Sequence, residues 1–408
     1  MNREALILGV GATPFGRHLD RSAGDLAGQA AHEALRDAGL APAGVGAVFH
    51  ATVSQKAIDG QHMIPGQVAL RPHGFAGVPV VNVENACAGG ATALWLAIAH
   101  VRAGLSDVAL AVGVDKLVCA DPAQGLAVFD GAMDVAHREE TLAALAALTA
   151  PLPPELLVDG DRSVFMEIYA SLARAHMQRF GTTEAHLAAV SAKNHAHSVH
   201  NPRAHFRRAF TAEEVLAARR VAWPLTVPMC SPVSDGAAAA VVTRADFIRD
   251  ESAVAVLSSV LLSGTDRAAD DTGRHIGRRA ALAAYEKAGI GPQEVDVAEV
   301  HDATAFGEIQ QVENLGFCPV GDGGPWSASG AGALGGTVPV NPSGGLESRG
   351  HPVSATGLAQ VFELVTQLRG RAGGRQVPDA RIAIAENGGG LYGIEEAVAA
   401  VTVLGRTG

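Results

Sequence analysis

Several things are scarce in this 408-residue chain, and each scarcity closes off a class of function. Aromatic residues make up 4% and acidic side chains outnumber basic ones, 42 to 31, for a formal net charge of -11. Such a chain offers neither the basic footprint nor the stacking platform that nucleic-acid binding requires. The four cysteines, Cys87, Cys119, Cys230 and Cys318, are far apart, so they suggest neither a disulfide framework nor a CxxC metal site. The charge-free apolar stretch from Asn85 to Val101 stops short of the about 18 residues a bilayer span needs, and it contains glycines and a histidine. It reads as a buried helix, with no membrane span. No GxxxxGK[ST], HExxH or GxSxG occurs, which removes the common nucleotide, zincin and serine-hydrolase readings. Gly9-Val10-Gly11 opens like a dinucleotide fingerprint, but Pro14 stands where the third glycine belongs. The N-terminal residues carry no long apolar leader and Arg406-Thr407-Gly408 is no targeting address, so a cytoplasmic protein is expected.

What the chain has in abundance is apolar residues, 48%, and an internal duplication. Residues 27–45 and 277–295 share one design at an offset of 250. Ala30, Ala31, Ala34 and Ala38 recur as Ala280, Ala281, Ala284 and Ala288, Gly39 and Gly289 stop the helices, and Pro42 and Pro292 follow. A second match, at offset 264, pairs Ala91-Thr92 and Leu94 with Ala355-Thr356 and Leu358, each at the start of an apolar helix that a short strand follows. Two matches in the same order predict an α/β protein of two duplicated halves related by a pseudo-twofold axis. The expected division is residues 1–119 with 227–250 for the first half, 120–226 for an inserted loop domain, and 251–408 for the second half. His195, His197, His200 and His205 fall in the insert without carboxylate or cysteine companions at ligand spacing, and are expected to form a polar loop face.

The duplication sets Cys87 opposite His351, each just before a helix. At a helix N-terminus the peptide dipoles favour a thiolate, so a depressed thiol pKa is expected at Cys87. A histidine opposite it can take the thiol proton and return it. His301-Asp302 follows a predicted strand at Val295–Val300, where active sites of α/β folds gather; Asp302 reads as a helix cap and His301 as a donor to a substrate carbonyl. Glu386-Asn387-Gly388-Gly389-Gly390 closes the last core strand.

In that order, VENACAGG, EVHDATAF, NPSGGLESRGHPVSATG and ENGGG make the chain resemble the thiolase superfamily, in particular the sterol-carrier-type thiolases often labelled lipid-transfer proteins. The resemblance spans nearly the whole chain. It implies a five-layered αβαβα fold with an inserted loop domain, a homodimer or homotetramer, and acyl-coenzyme A substrates, with coenzyme A as part of the substrate and no other cofactor or metal. It also implies that Cys87 accepts the acyl group, His351 of the GHP motif activates it, and His301 lines an oxyanion hole. The N–H groups of Cys87 and Gly388 would form a second oxyanion hole, with Gly389, Asn341 and Ser343 on the substrate side.

One departure stands out. The second cysteine of such enzymes is absent from both of its family positions, which hold Ala303 and Glu386 here. Glu386 is a candidate base in its place. Acyl transfer through acyl-Cys87 is the expected activity, as a 3-ketoacyl-CoA thiolase or a related condensing enzyme. The alternatives are a decarboxylating, ketosynthase-like condensation, a retro-aldol lyase paired with a small OB-fold protein, and a lipid carrier without catalysis.

Overall fold

The computed structural model describes residues 4–160, 162–247 and 252–407. The expected boundary between the halves, at residues 250 and 251, lies outside them. The described strands are β1 (Ala5–Ala12), β2 (Ala47–Ala51), β3 (Val80–Val83), β4 (Val108–Asp115), β5 (Arg220–Ala222), β6 (Leu225–Thr226), β7 (Gly236–Arg244), β8 (Val254–Ser263), β9 (Val297–Glu299), β10 (Ile382–Gly389) and β11 (Val398–Arg406). All but β5 and β6, which pair with each other, join one mixed sheet in the order β3-β2-β4-β7-β1-β8-β11-β10-β9.

Reading outward from the seam between β1 and β8, the two sides match. β1, β7, β4 and β2 on one side answer β8, β11, β10 and β9 on the other, antiparallel where their counterparts are antiparallel and parallel where they are parallel. The strand β3 has a counterpart reduced to a single parallel bridge between Ala298 and Val340. The seam is narrow: Leu6 pairs with Ala255 and Ile7 with Val254.

Strand alternation creates the layers. In β4, Val108, Leu110 and Val112 face a cluster with Leu26, Ala30 and Ala34 of the helix Ala23–Asp37, while Ala109 and Ala111 face inward. The inner side is packed by two helices, Gly89–Arg102 and Thr356–Leu368, through Leu94, Ile98, Leu358 and Val361. The helix Ile276–Ala288 covers the far face with Ala280 and Ala284 against Ile384 and Val401. Five layers result, α, β, α, β, α, with alanines such as Ala109, Ala111, Ala383 and Ala385 turned toward the central helices. Small inward residues are what allow those helices to approach both sheet faces closely.

The central contact is close enough to demand glycine. A Cβ on Gly90 would fall 2.4 Å from the Ser354 carbonyl oxygen, one on Gly113 2.2 Å from the same oxygen, and one on Gly357 2.8 Å from the Ala91 nitrogen. Cys87 and His351 sit directly before these helices, so this contact brings them together.

Between β4 and β7 the chain makes its long excursion, which includes the helices Val164–Phe180 and Glu184–Ser198 and the β5-β6 ribbon. The expected polar histidine face is met only in part: His200 is exposed and His205 half-buried, but the other two turn inward. His195 and His197 are buried on the helix Glu184–Ser198, where the His195 imidazole bonds the Pro228 carbonyl (3.1 Å) and His197 the Asn341 carbonyl (3.0 Å). The helix packs between the excursion and the second half, so these rings anchor one to the other.

Candidate active site

Cys87 lies in a short 3-10 turn, Ala86–Ala88, that leads into the helix Gly89–Arg102. Ala86 has φ +48°, a left-handed conformation that costs a non-glycine residue on the order of 1–2 kcal/mol. Local bonds hold it there. Asn85 Nδ2 donates to Thr92 Oγ1 (3.0 Å), Thr92 Oγ1 donates to the Ala88 carbonyl (2.9 Å), and the Ala86 N–H donates to Glu84 (2.7 Å). Gly389 abuts this turn so closely that a Cβ there would lie 2.5 Å from the Asn85 oxygen.

The thiol's ionisation runs opposite to expectation. Burial pushes Cys87 up to about 12, the Asp115 carboxyl adds to the rise, and the N–H of Gly390 donated to the sulfur opposes it only in part. The turn stands between the sulfur and the helix N-terminus, and desolvation outweighs the dipole. Cys87 therefore rests as a thiol.

His351 is buried, and its Nδ1 shares a 2.7 Å hydrogen bond with Thr356 Oγ1, which leaves Nε2 for the site. Burial, with His301 and Arg349 nearby, holds it far below the ordinary imidazole range, so it too rests neutral. Its loop is tied to the first half: the Ser354 N–H donates to Asp115 Oδ2 (2.6 Å), while Asp115 Oδ1 accepts the N–H groups of Val53 (2.9 Å) and Ser54 (2.8 Å).

His301 follows β9, its ring 5.2 Å from that of His351 and nearly perpendicular to it. Asn387 Nδ2 donates to His301 Nδ1 (2.9 Å) and lies 3.4 Å from the Gly388 carbonyl, while Asn387 Oδ1 has no hydrogen-bond partner among the described residues. His301 Nδ1 is thus the acceptor and Nε2 carries the hydrogen. Burial lowers its pKa to about 4, so the ring stays neutral and donates. The Cys87 sulfur and one nitrogen from each histidine lie within 4.8 Å of one another, a spacing that would also suit three ligands of a thiophilic divalent cation.

These groups open onto a cavity of about 1000 Å³, whose wall also includes Gly388, Gly389 and Gly390. The long excursion supplies an apolar side, with Leu126, Phe129, Met133, Phe165 and Met166, and Lys56, Arg162 and Arg219 add positive charge.

Three of the expected site residues lie elsewhere. Asn341 does not line the cavity: its Oδ1 accepts the Val300 N–H (2.9 Å) and its Nδ2 donates to Glu308 (2.8 Å). Ser343 is likewise buried, donating to Glu299 (2.8 Å), which Arg349 also binds (3.0 Å). Both brace the segment that presents His301. Glu386 points away from the substrate side, its Oε2 accepting the His301 N–H (3.0 Å), because alternate residues of β10 face opposite sides and Glu386 shares the side of Ile384. Burial and the neighbouring Glu396 raise its pKa to about 8. Asp302 does not cap the helix that follows it; it is buried, accepts the Leu346 N–H (2.8 Å) in the first turn of the helix Gly345–Arg349, and accepts Asn194 Nδ2 (3.1 Å). Conversely, Asn387, Gly390, Tyr169 and Glu396 belong to the site and escaped sequence reasoning. Only Asn387 and Gly390 carried a signal, their place in the ENGGG turn.

Comparison with known proteins follows the same lines. Residues 5–217 match the family described as thiolase, N-terminal domain, and residues 263–406 that described as thiolase C-terminal domain-like. The chain is 37% identical over 412 residues to an acetyl-CoA acetyltransferase of Methanothermobacter thermautotrophicus, covering 99% of this chain and 100% of that one. It is 35% identical over 399 residues to sterol carrier protein 2 of Gallus gallus, covering 95% of this chain and 70% of the relative. The solved Ltp2-ChsH2(DUF35) aldolase shares the fold with a TM-score of 0.77 at 22% identity, over 99% of this chain and 98% of that one.

Proposed function

The chain belongs to the thiolase family of acyltransferases, and from that premise we propose that it moves an acyl group from a coenzyme A thioester through Cys87 to a carbon acceptor or back to coenzyme A. The observation that carries this reading is the convergence of Cys87, His301 and His351 within 4.8 Å. The proton leaves sulfur only as the carbonyl is attacked. His351 Nε2 takes it, and the N–H groups of Cys87 and of Gly390, which bonds the sulfur in the place expected for Gly388, receive the negative charge growing on the carbonyl oxygen. His351 then returns the proton to the departing coenzyme A thiolate. In the second half-reaction His301 Nε2–H stabilises the enolate oxygen of the acceptor thioester.

The finer reading is a C-acyltransferase of the acetyl-CoA type. The positive side chains Lys56 and Arg219 suit the coenzyme's phosphates, and the apolar wall from the excursion suits a hydrocarbon acyl chain. A small DUF35-like partner and a homodimer belong to this reading by analogy with the aldolase complex and the family. Aldol cleavage needs no acyl-cysteine, so the Cys87-His351 pair favours transfer. Intact-protein mass spectrometry after incubation with a panel of acyl-coenzyme A thioesters should show one acyl adduct that Cys87→Ala removes. Turnover surviving in Cys87→Ala would sink the reading.

A further inference from the structure

Condensation requires a group that removes a proton from the α-carbon of the second thioester, and neither family cysteine position supplies one. We propose that Glu396 is this base and that Tyr169 positions it, an inference that rests on the acyl-transfer reading above.

Glu396 lies in the connection between β10 and β11 and lines the same cavity as Cys87, His301 and Gly388. It reaches there because Gly388 has no side chain: a Cβ on Gly388 would come within 2.8 Å of Glu396 Cγ. The carboxyl is held but not neutralised. Gln311 Nε2 donates to Oε1 (3.1 Å), the imidazole of His275 stands 3.4 Å from Oε2, and Oε2 accepts no hydrogen bond among the described residues. The nearby Arg267 is engaged by Glu395 instead. Burial raises the Glu396 pKa above the ordinary carboxylate range, which strengthens it as a base.

Tyr169, on the helix Val164–Phe180, lines the cavity too, and its hydroxyl makes no hydrogen bond among the described residues. Tyr169 and Glu396 also line one small pocket beside the main cavity, together with His275 and Gly390, so the phenol stands on the base's side of the site. The other candidates fall away. Glu386 is spent on the His301 backbone, and burial holds the Cys230 thiol at the cavity wall well above its ordinary range, a poorer base than a carboxylate.

In the step itself the α C–H bond breaks, its electron pair passes into the thioester enolate and its proton goes to Glu396. The enolate carbon attacks the acyl carbonyl on Cys87. The C–C bond forms, the C–S bond to Cys87 breaks, and the proton taken from the α-carbon passes from Glu396 through solvent in the cavity to His351 Nε2 and from there to the leaving sulfur. This restores the resting state of carboxylate, neutral imidazole and thiol.

The test separates the two half-reactions. The protein is incubated in D2O with acetyl-CoA and with hexanoyl-CoA, and mass spectrometry reads deuterium entering the α-carbon alongside acylation of Cys87. In Glu396→Gln acylation should persist while α-exchange falls roughly 100-fold or more. Glu396→Asp should recover part of it, and Tyr169→Phe should lower kcat for exchange several-fold with KM little changed. Exchange undiminished in an acylating Glu396→Gln protein, or absent from the unaltered one, would overturn the base. Exchange that depends on Glu396 without any acylation would keep the base and defeat the acyl-transfer reading.

Discussion

The helices Gly89–Arg102 and Thr356–Leu368 occupy equivalent places in the two halves, yet what precedes each is different. Both follow a residue of positive φ and a 3-10 turn, Ala86 and Ala86–Ala88 before the first, Gly350 and Val353–Ala355 before the second, but the first carries a thiol into the cavity. Before the second, His351 bridges to Val233 and is fixed by Thr356 Oγ1. The connections past the core strands diverge as well. After β4 the chain makes the excursion that walls the acyl side of the cavity, whereas after β10 it returns through residues 390–397, which carry Glu396. Symmetry places the site, and the departures from symmetry give its two sides different chemistry.

The largest test of that division is His351→Ala, which leaves Cys87 in place without its proton acceptor. Turnover should fall roughly 10²- to 10⁴-fold with the thermal midpoint little changed, as steady-state kinetics and melting would show. A comparable loss is not expected on acidification through pH 6.5, because His301 titrates at about 4 and His351 also lies well below 6.5; an acid limb centred near 6.5 would contradict the buried, neutral pair.

Glu386 probes the second half by stability. Its pKa is raised from 4.5 to about 8, so its stabilising contribution is whole below pH 4.5 and is lost as pH rises toward 8 at about 1.4 kcal/mol per pH unit. Glu386→Gln should flatten that alkaline loss, and denaturant titrations at pH 6 and 9 would measure it. Across the joint between halves, Gly113→Ala sets a methyl 2.2 Å from the Ser354 oxygen and should cost about 1–3 kcal/mol of stability in the same titrations. The smallest effect belongs to Asn387→Leu. His301 keeps its ring but loses the donor that fixes its tautomer, so kcat should drop about 10-fold, short of the 10² to 10³ of a deleted oxyanion donor.

The alanine stripes and stop glycines made the duplication legible, and the duplication alone set Cys87 opposite His351. The strand before His301 was legible from its apolar run, although it is shorter than expected, Val297–Glu299. Three things were not. Motif position cannot tell which way a strand residue points, so the motif offers Glu386 as a base, whereas in the fold Glu386 accepts the His301 N–H and Asn387, on the opposite side of β10, holds the His301 ring. Asn341 and Ser343 share a motif with His351, yet their partners Val300 and Glu299 are distant in sequence and meet them only in the folded layers. The thiol's pKa depends on burial and on Asp115, neither of which appears in the residues around Cys87.

The last described strand, β11, does not lie at an edge but between β8 and β10. During synthesis the second half's side of the sheet therefore has a gap in its middle until residues 398–406 have been made. The first half emerges carrying its thiol, while the imidazoles that serve it wait on a sheet that cannot yet close. Cys87 thus meets His351 and His301 only once the strand made last has joined β8 to β10, so assembly of the site waits on the end of the second half.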